Sequence, residues 1–174
     1  MTFEGGCYCG KIRYVAQGEP RLKAQCLCRE CQYISGGAPN MFMLMPPEGF
    51  RYISGTPKAF ARSDLENPVT REFCDACGTH IATRRPGLNA VILKVGTLDD
   101  PGLFGAPQMA IYAVDRQPFH IIPESLPIYS GYHRADARPS LKGFETGSLS
   151  AFPSHAWDWI TRAQAAISLT IQAP

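Results

Sequence analysis

The sequence predicts a mainly β fold of short strands held together by metal. Two observations carry this. Apolar or alternating stretches of strand length recur between turns drawn from 16 glycines and 15 prolines, while helical periodicity is scarce. The seven cysteines fall into three clusters, Cys7-Tyr8-Cys9, Cys26-Leu27-Cys28-Arg29-Glu30-Cys31 and Cys74-Asp75-Ala76-Cys77.

Taken in order, Gly5-Gly6 lead into the first pair and Gly10 leaves it. Lys11 to Ala16 alternates polar and apolar, as a half-buried strand does, until Gly18-Glu19-Pro20 stops it. Leu22 to Cys28 reads as a second extended segment carrying two central thiols. No glycine follows Cys31, so Arg29 to Ile34 predicts a turn or two of helix, whose amide-rich start favours thiolates. Ser35-Gly36-Gly37-Ala38-Pro39 is a flexible elbow beside it.

Met41 to Met45 is a continuous apolar run ended by Pro46-Pro47, and reads as a buried central strand rather than a pliant binding surface. Phe50 to Ile53, the turn Gly55-Thr56-Pro57 and Lys58 to Arg62 predict a hairpin, followed by a polar loop from Ser63 to Pro68. Thr70 to Phe73 delivers the last cysteine pair and Thr79 to Arg84 leaves it as another strand. Val91 to Val95 and Met109 to Val114 are further strands, separated by an Asp99-Asp100-Pro101-Gly102 turn.

A chain of 174 residues suits one ordinary domain with an appendage. Residues 1–133 read as the zinc-binding domain and 134–174 as a linker and helical extension. Ser154 is placed to cap a final short helix with Trp157, Ile160, Ala163 and Ile167 on one stripe. That stripe is a face to pack on the body or on a second copy, which offers a homodimer contact.

A structural zinc takes four closed ligands, whereas a catalytic zinc keeps three protein ligands and one open position. Seven cysteines fit one site of each kind. The simplest assignment joins Cys7, Cys9, Cys74 and Cys77 and leaves Cys26, Cys28 and Cys31 open, although the count alone does not force it. Residues two apart on a strand point to one face, so C-x-C can present both sulfurs to one ion. C-x-x-C works through a tight turn, and Gly78 after Cys77 supplies the positive φ such a turn often needs. The bland alternatives are a disulfide framework, disfavoured by the odd count, and a redox pair, which lacks its βαβ context.

The net charge of +2 gives no basic stripe for nucleic acid. Two zinc ions and seven deprotonated thiols would lower it to about −1. The opening Met-Thr-Phe-Glu-Gly-Gly is not a secretory signal, and no apolar run is long enough to span a bilayer. The expectation is a cytoplasmic protein, where thiols stay reduced and hold metal.

The order C-x-C, then C-x-C-x-x-C with its Ser-Gly-Gly-Ala-Pro elbow, then Arg-Glu-Phe-Cys-Asp-Ala-Cys-Gly-Thr, resembles the glutathione-dependent formaldehyde-activating enzyme family, which includes centromere protein V. The likeness runs from about Gly5 to Tyr132 and takes in Gly-Thr-Leu-Asp-Asp-Pro. It implies the β-tent, a folded antiparallel sheet closed by zinc. It also implies a structural zinc on Cys7, Cys9, Cys74 and Cys77 and a second, catalytic zinc on Cys26, Cys28 and Cys31. Many members carry histidine where this chain has Leu27.

The implied activity is that of a carbon–sulfur lyase, joining a small thiol such as glutathione to a small aldehyde, formaldehyde, to give S-hydroxymethylglutathione. The competing reading is a non-catalytic glutathione carrier or protein-binding module. Arg29, Arg84 and Arg85 are candidate anchors for glutathione carboxylates, against ordinary surface charge. His80, His120, His133 and His155 read as structural or surface residues, with His80, three residues after Cys77, nearest to a ligand position.

Overall fold

A computed structural model describes residues 1–131, which belong to one compact unit. The predicted final helix and both His133 and His155 lie outside the described residues. Two sheets make up the fold. Strands β1 (Thr2–Gly6), β2 (Arg13–Gln17) and β5 (Phe50–Ser54) form a three-stranded antiparallel sheet. The second sheet has seven strands. Its members are β3 (Leu22–Cys26), β4 (Asn40–Met45), β6 (Lys58–Phe60), β7 (Thr70–Phe73), β8 (His80–Arg84), β9 (Val91–Lys94) and β10 (Met109–Ile111), in the spatial order β10-β3-β4-β9-β8-β7-β6. Every pairing is antiparallel except that of β10 with β3. The mainly β class is as expected.

The run Asn40–Met45 shows why a continuous apolar stretch makes an interior strand. β4 lies between β3 and β9, and its side chains alternate between two cores. Met43 and Met45 join Phe3, Tyr14, Ile81 and Leu93, while Phe42 and Leu44 join Ala24, Cys26 and Ile111 on the other face. Burying both faces requires both parities of the strand to be apolar.

Two expectations are corrected. Phe50–Ser54 and Lys58–Phe60 do not pair as a hairpin: β5 adds to β2 and β6 to β7, in different sheets. Phe50 decides this by packing on Tyr14, with ring centroids 5.5 Å apart, while β6 stays exposed throughout. The strand expected from Met109 to Val114 stops at Ile111, because Tyr112 turns left-handed (φ 58°) into a 3₁₀ turn over Ala113–Asp115. The elbow after the central cysteines carries a tie to a distant segment. His120 Nε2 donates to the Gly37 carbonyl at 2.7 Å, the ring oriented by the Gln117 amide donating to Nδ1 at 3.1 Å.

The three-stranded sheet closely approaches the segment that follows β9 at Gly5, where a bridge joins Gly5 to Leu98. Any side chain at Gly5 would overlap the Thr97 carbonyl oxygen and the Tyr14 ring. Among the described residues no helix is long and apolar enough to cross a membrane.

Candidate metal centres and cavity

The first cluster joins two loops far apart in sequence. Cys7 and Cys9 follow β1, and Cys74 and Cys77 form the turn between β7 and β8. All four sulfurs lie within 4.8 Å of one another. Cys7 Sγ stands 3.5 Å from Cys9 Sγ, and Cys9 Sγ 3.8 Å from Cys74 Sγ. These separations are far longer than a disulfide bond and match the edge of a zinc–sulfur tetrahedron, about 3.8 Å for bonds near 2.3 Å.

Local sequence shapes this site. Gly78 takes φ +73° and its amide donates to the Cys74 carbonyl at 2.9 Å, closing the expected turn. The Ile12 amide donates to Cys7 Sγ at 3.2 Å, and Thr79 Oγ1 bridges by accepting from the Tyr8 amide at 3.1 Å while lying 3.2 Å from Cys77 Sγ. The Lys11–Asp75 ion pair at 2.8 Å binds the two loops together.

The second cluster lies on the opposite face of the seven-stranded sheet. Cys26 ends β3, Cys28 caps the helix α1 (Arg29–Ser35), and Cys31 sits in its first turn. The predicted helix is therefore present, and the Cys31 amide donates to the capping Cys28 Sγ at 3.4 Å. Asn40 Nδ2 donates to Cys31 Sγ at 3.7 Å. The three sulfurs also lie within 4.8 Å of one another, and among the described residues no fourth His, Cys, Asp or Glu joins them.

Crowding these thiols makes them unequal. Hydrogen bonds from the Cys26 and Cys31 thiols hold Cys28 down to about 3, and the same hydrogen bond with Cys28 drives Cys26 far above an ordinary thiol. A trio that sheds its first proton easily and resists losing the rest suits a dication, which compensates the added negative charge. Both donor sets fit zinc.

The trio opens on a cavity of about 450 Å³, within the usual range for small-molecule sites. Its wall carries Arg29, Arg71, Arg85 and Lys94 against Glu30 and Asp115. Arg71, only 13% exposed at its side chain, reaches from β7 to pair with Glu30 of α1 at 2.6 Å. Lys94 is 8% exposed, and burial lowers its ammonium to about 8.

The expected residues divide. Arg29 and Arg85 line the cavity, whereas Arg84 does not, because it pairs with Glu72 at 3.2 Å and stacks 5.1 Å over Phe50. His80 lines the cavity but ligates nothing in either cluster. Its Nε2 faces the Ala82 carbonyl at 3.1 Å and Thr83 Oγ1 at 3.0 Å, and burial pushes the ring down to about 3. Leu27 turns away from the cavity into a small core with Ala110 and Leu126. Arg71, Glu30 and Lys94 were not singled out in the sequence. The signal for Lys94 is a lysine closing the otherwise apolar strand Val91–Lys94, on the same face as Ile92.

Fold and clusters together define a mainly β protein organised by two cysteine sites able to hold metal ions, compatible with zinc. The chain belongs to the glutathione-dependent formaldehyde-activating enzyme family, whose description matches residues 2–115. No curated protein matches the sequence. A crystal structure of a Rhodobacter sphaeroides protein aligns with 60% of this chain and 96% of its own, at 17% identity and a TM-score of 0.46. The chemistry attached to the family is glutathione-dependent activation of formaldehyde.

Proposed function

We propose that this chain joins glutathione, or a closely similar small thiol, to formaldehyde to give S-hydroxymethylglutathione, as a carbon–sulfur lyase of reduced compartments. The observation that carries this reading is the asymmetry between the clusters. One has four sulfurs, while the other has three and opens on a cavity. Cys7, Cys9, Cys74 and Cys77 would hold a structural zinc and Cys26, Cys28 and Cys31 a catalytic one. When bound by the trio, zinc supplies a positive charge that keeps a substrate thiol deprotonated near neutral pH.

The chain's own residues do the rest. Four cationic side chains against two carboxylates give the wall an excess of positive charge suited to a ligand with two carboxylates, as glutathione has. Arg29 and Arg85 are the anchors we assign to them. The Arg71–Glu30 pair fixes α1, and with it Cys28 and Cys31, against β7. Apolar wall residues such as Phe42, Ile92 and Ile111 limit the water that competes for the aldehyde.

The test is product formation from glutathione and ¹³C-formaldehyde, followed by exchange NMR, in the metal-loaded wild type and in Cys28→Ser. Wild-type acceleration above the spontaneous reaction that disappears in Cys28→Ser supports the reading. Equal rates in both proteins and in buffer would leave a thiol carrier or binding module in its place.

A further inference from the structure

We propose that Lys94 is the catalytic residue that receives the aldehyde oxygen, hydrogen-bonding it as negative charge grows there and handing it a proton. This rests on the reaction proposed above and assigns its missing donor. Three observations lead to it. Lys94 ends β9 opposite Phe42 of β4, on the face that carries the cysteine trio, and lines the same cavity as Cys26, Cys28 and Cys31. It is 8% exposed. Among the described residues, its Nζ has no hydrogen-bond or salt-bridge partner, a carboxylate or a sulfur included.

A buried cation without a partner is costly, so a fold that keeps one has a use for it. Charge balance with the thiols is the first alternative. The Lys94 ammonium does feel Cys31, Cys26 and Cys28 electrostatically. It makes no hydrogen bond to any of those sulfurs, however, and ammonium and thiols line one cavity. A cavity of about 450 Å³ has room for a small electrophile held between a sulfur nucleophile and an N–H donor.

Four other polar side chains on the wall have partners within the protein. Arg71 is held by Glu30, His80 by Ala82 and Thr83, Asn40 by Cys31, and Arg29 by Gln32 with its guanidinium 5.2 Å over Tyr33. Lys94, which lines the same cavity, differs from those four in that its Nζ has no such partner among the described residues.

The step balances without any oxidant. The substrate thiol loses its proton to water on binding. Its sulfur lone pair forms the C–S bond, the C=O π pair moves onto oxygen, and that oxygen takes a proton from Lys94 Nζ. Water returns a proton to the neutral amine, so thiol plus aldehyde gives the hydroxymethyl thioether.

Two measurements test this. Lys94→Met keeps the length and apolar stem while removing the charge. It should bind glutathione by calorimetry as the wild type does, retain the same zinc per chain, and lose about 10²–10⁴-fold of the catalysed rate, the usual share of a general acid. The second readout needs no turnover. Wild-type protein is treated with formaldehyde and cyanoborohydride, and lysine methylation is mapped by mass spectrometry. Lys94, despite its burial, should be methylated as readily as the exposed Lys11 and Lys58, and S-methylglutathione should protect it. Unchanged rate in Lys94→Met, loss of zinc from that variant, or a Lys94 that stays unmodified while the exposed lysines react would each overturn the assignment. A wild type no faster than buffer would sink the parent reaction instead, which separates the two failures.

Discussion

Replacing Cys74 with alanine should abolish folding, whereas replacing Cys31 should not. Cys74 is fully buried in the core between the sheets, with the Cys9 sulfur 3.8 Å away. Two magnitudes compete. As a small core residue, Cys74 would cost on the order of 1 kcal/mol on truncation, comparable to a buried methylene. That is a shift of a few degrees in Tm. As one of four ligands to a structural zinc, it guards an apparent binding free energy of about 10–16 kcal/mol. A domain of this size has only about 5–15 kcal/mol of stability in total, so the second case leaves nothing folded. Cys31 stands on the cavity wall, in a seven-residue helix, and its loss leaves the four-sulfur site whole. The assay is soluble yield, circular dichroism melting and zinc per chain for both variants. Cys74→Ala should show no cooperative transition and no bound zinc, and Cys31→Ala should melt cooperatively with one. Equal loss of folding from both, or a Cys74→Ala protein that melts cooperatively only a few degrees early, would refute the division into structural and open sites.

Three other perturbations test other parts of the structure. Limited chelation should strip the trio first, with far-UV dichroism unchanged while glutathione binding is lost. Chelator that unfolds the chain at the first equivalent removed contradicts this. Gly5→Ala forces a methyl into the Thr97 carbonyl and should cost roughly 1–3 kcal/mol as overpacking, read as a lower urea midpoint with unchanged slope. Burial holds His80 down to about 3, below its ordinary 6.5. The unfolded chain therefore takes up a proton that the folded one refuses, and stability present above about pH 6.5 is lost as pH falls. Between pH 6.5 and 5 the wild type should lose roughly 1–2 kcal/mol relative to His80→Gln, measured by urea denaturation at each pH. Parallel pH profiles would exclude the effect.

Local chemistry was legible and long-range partnership was not. The cysteine spacings, the Gly78 turn, the short helix after Cys28 and the apolar strand of Met41 to Met45 all follow from neighbours within a few residues. The turn at Gly55-Thr56-Pro57 was equally visible, but turn chemistry says that the chain reverses and not which strand it joins next. There β2 and β7 claimed the two arms. The cavity wall shows the same limit. Arg71 comes from β7, Lys94 from β9 and the thiols from β3 and α1, so their meeting depends on strand order rather than on any motif. Arg84 was misplaced among the cavity candidates for the same reason, since its partners Glu72 and Phe50 lie on other strands.

The four-sulfur cluster draws on the start and the middle of the domain, Cys7 and Cys9 after a strand of one sheet, Cys74 and Cys77 in a turn between two strands of the other. During synthesis the first two thiols emerge long before their partners, while the trio is complete as soon as Cys31 leaves the ribosome. For that interval the nascent chain displays five thiols and only one finished set. An ion captured early by Cys7 and Cys9 together with a borrowed trio sulfur would hold the chain in the wrong connectivity, and β7 and β8 would have to arrive and exchange that sulfur out before the sheets could dock.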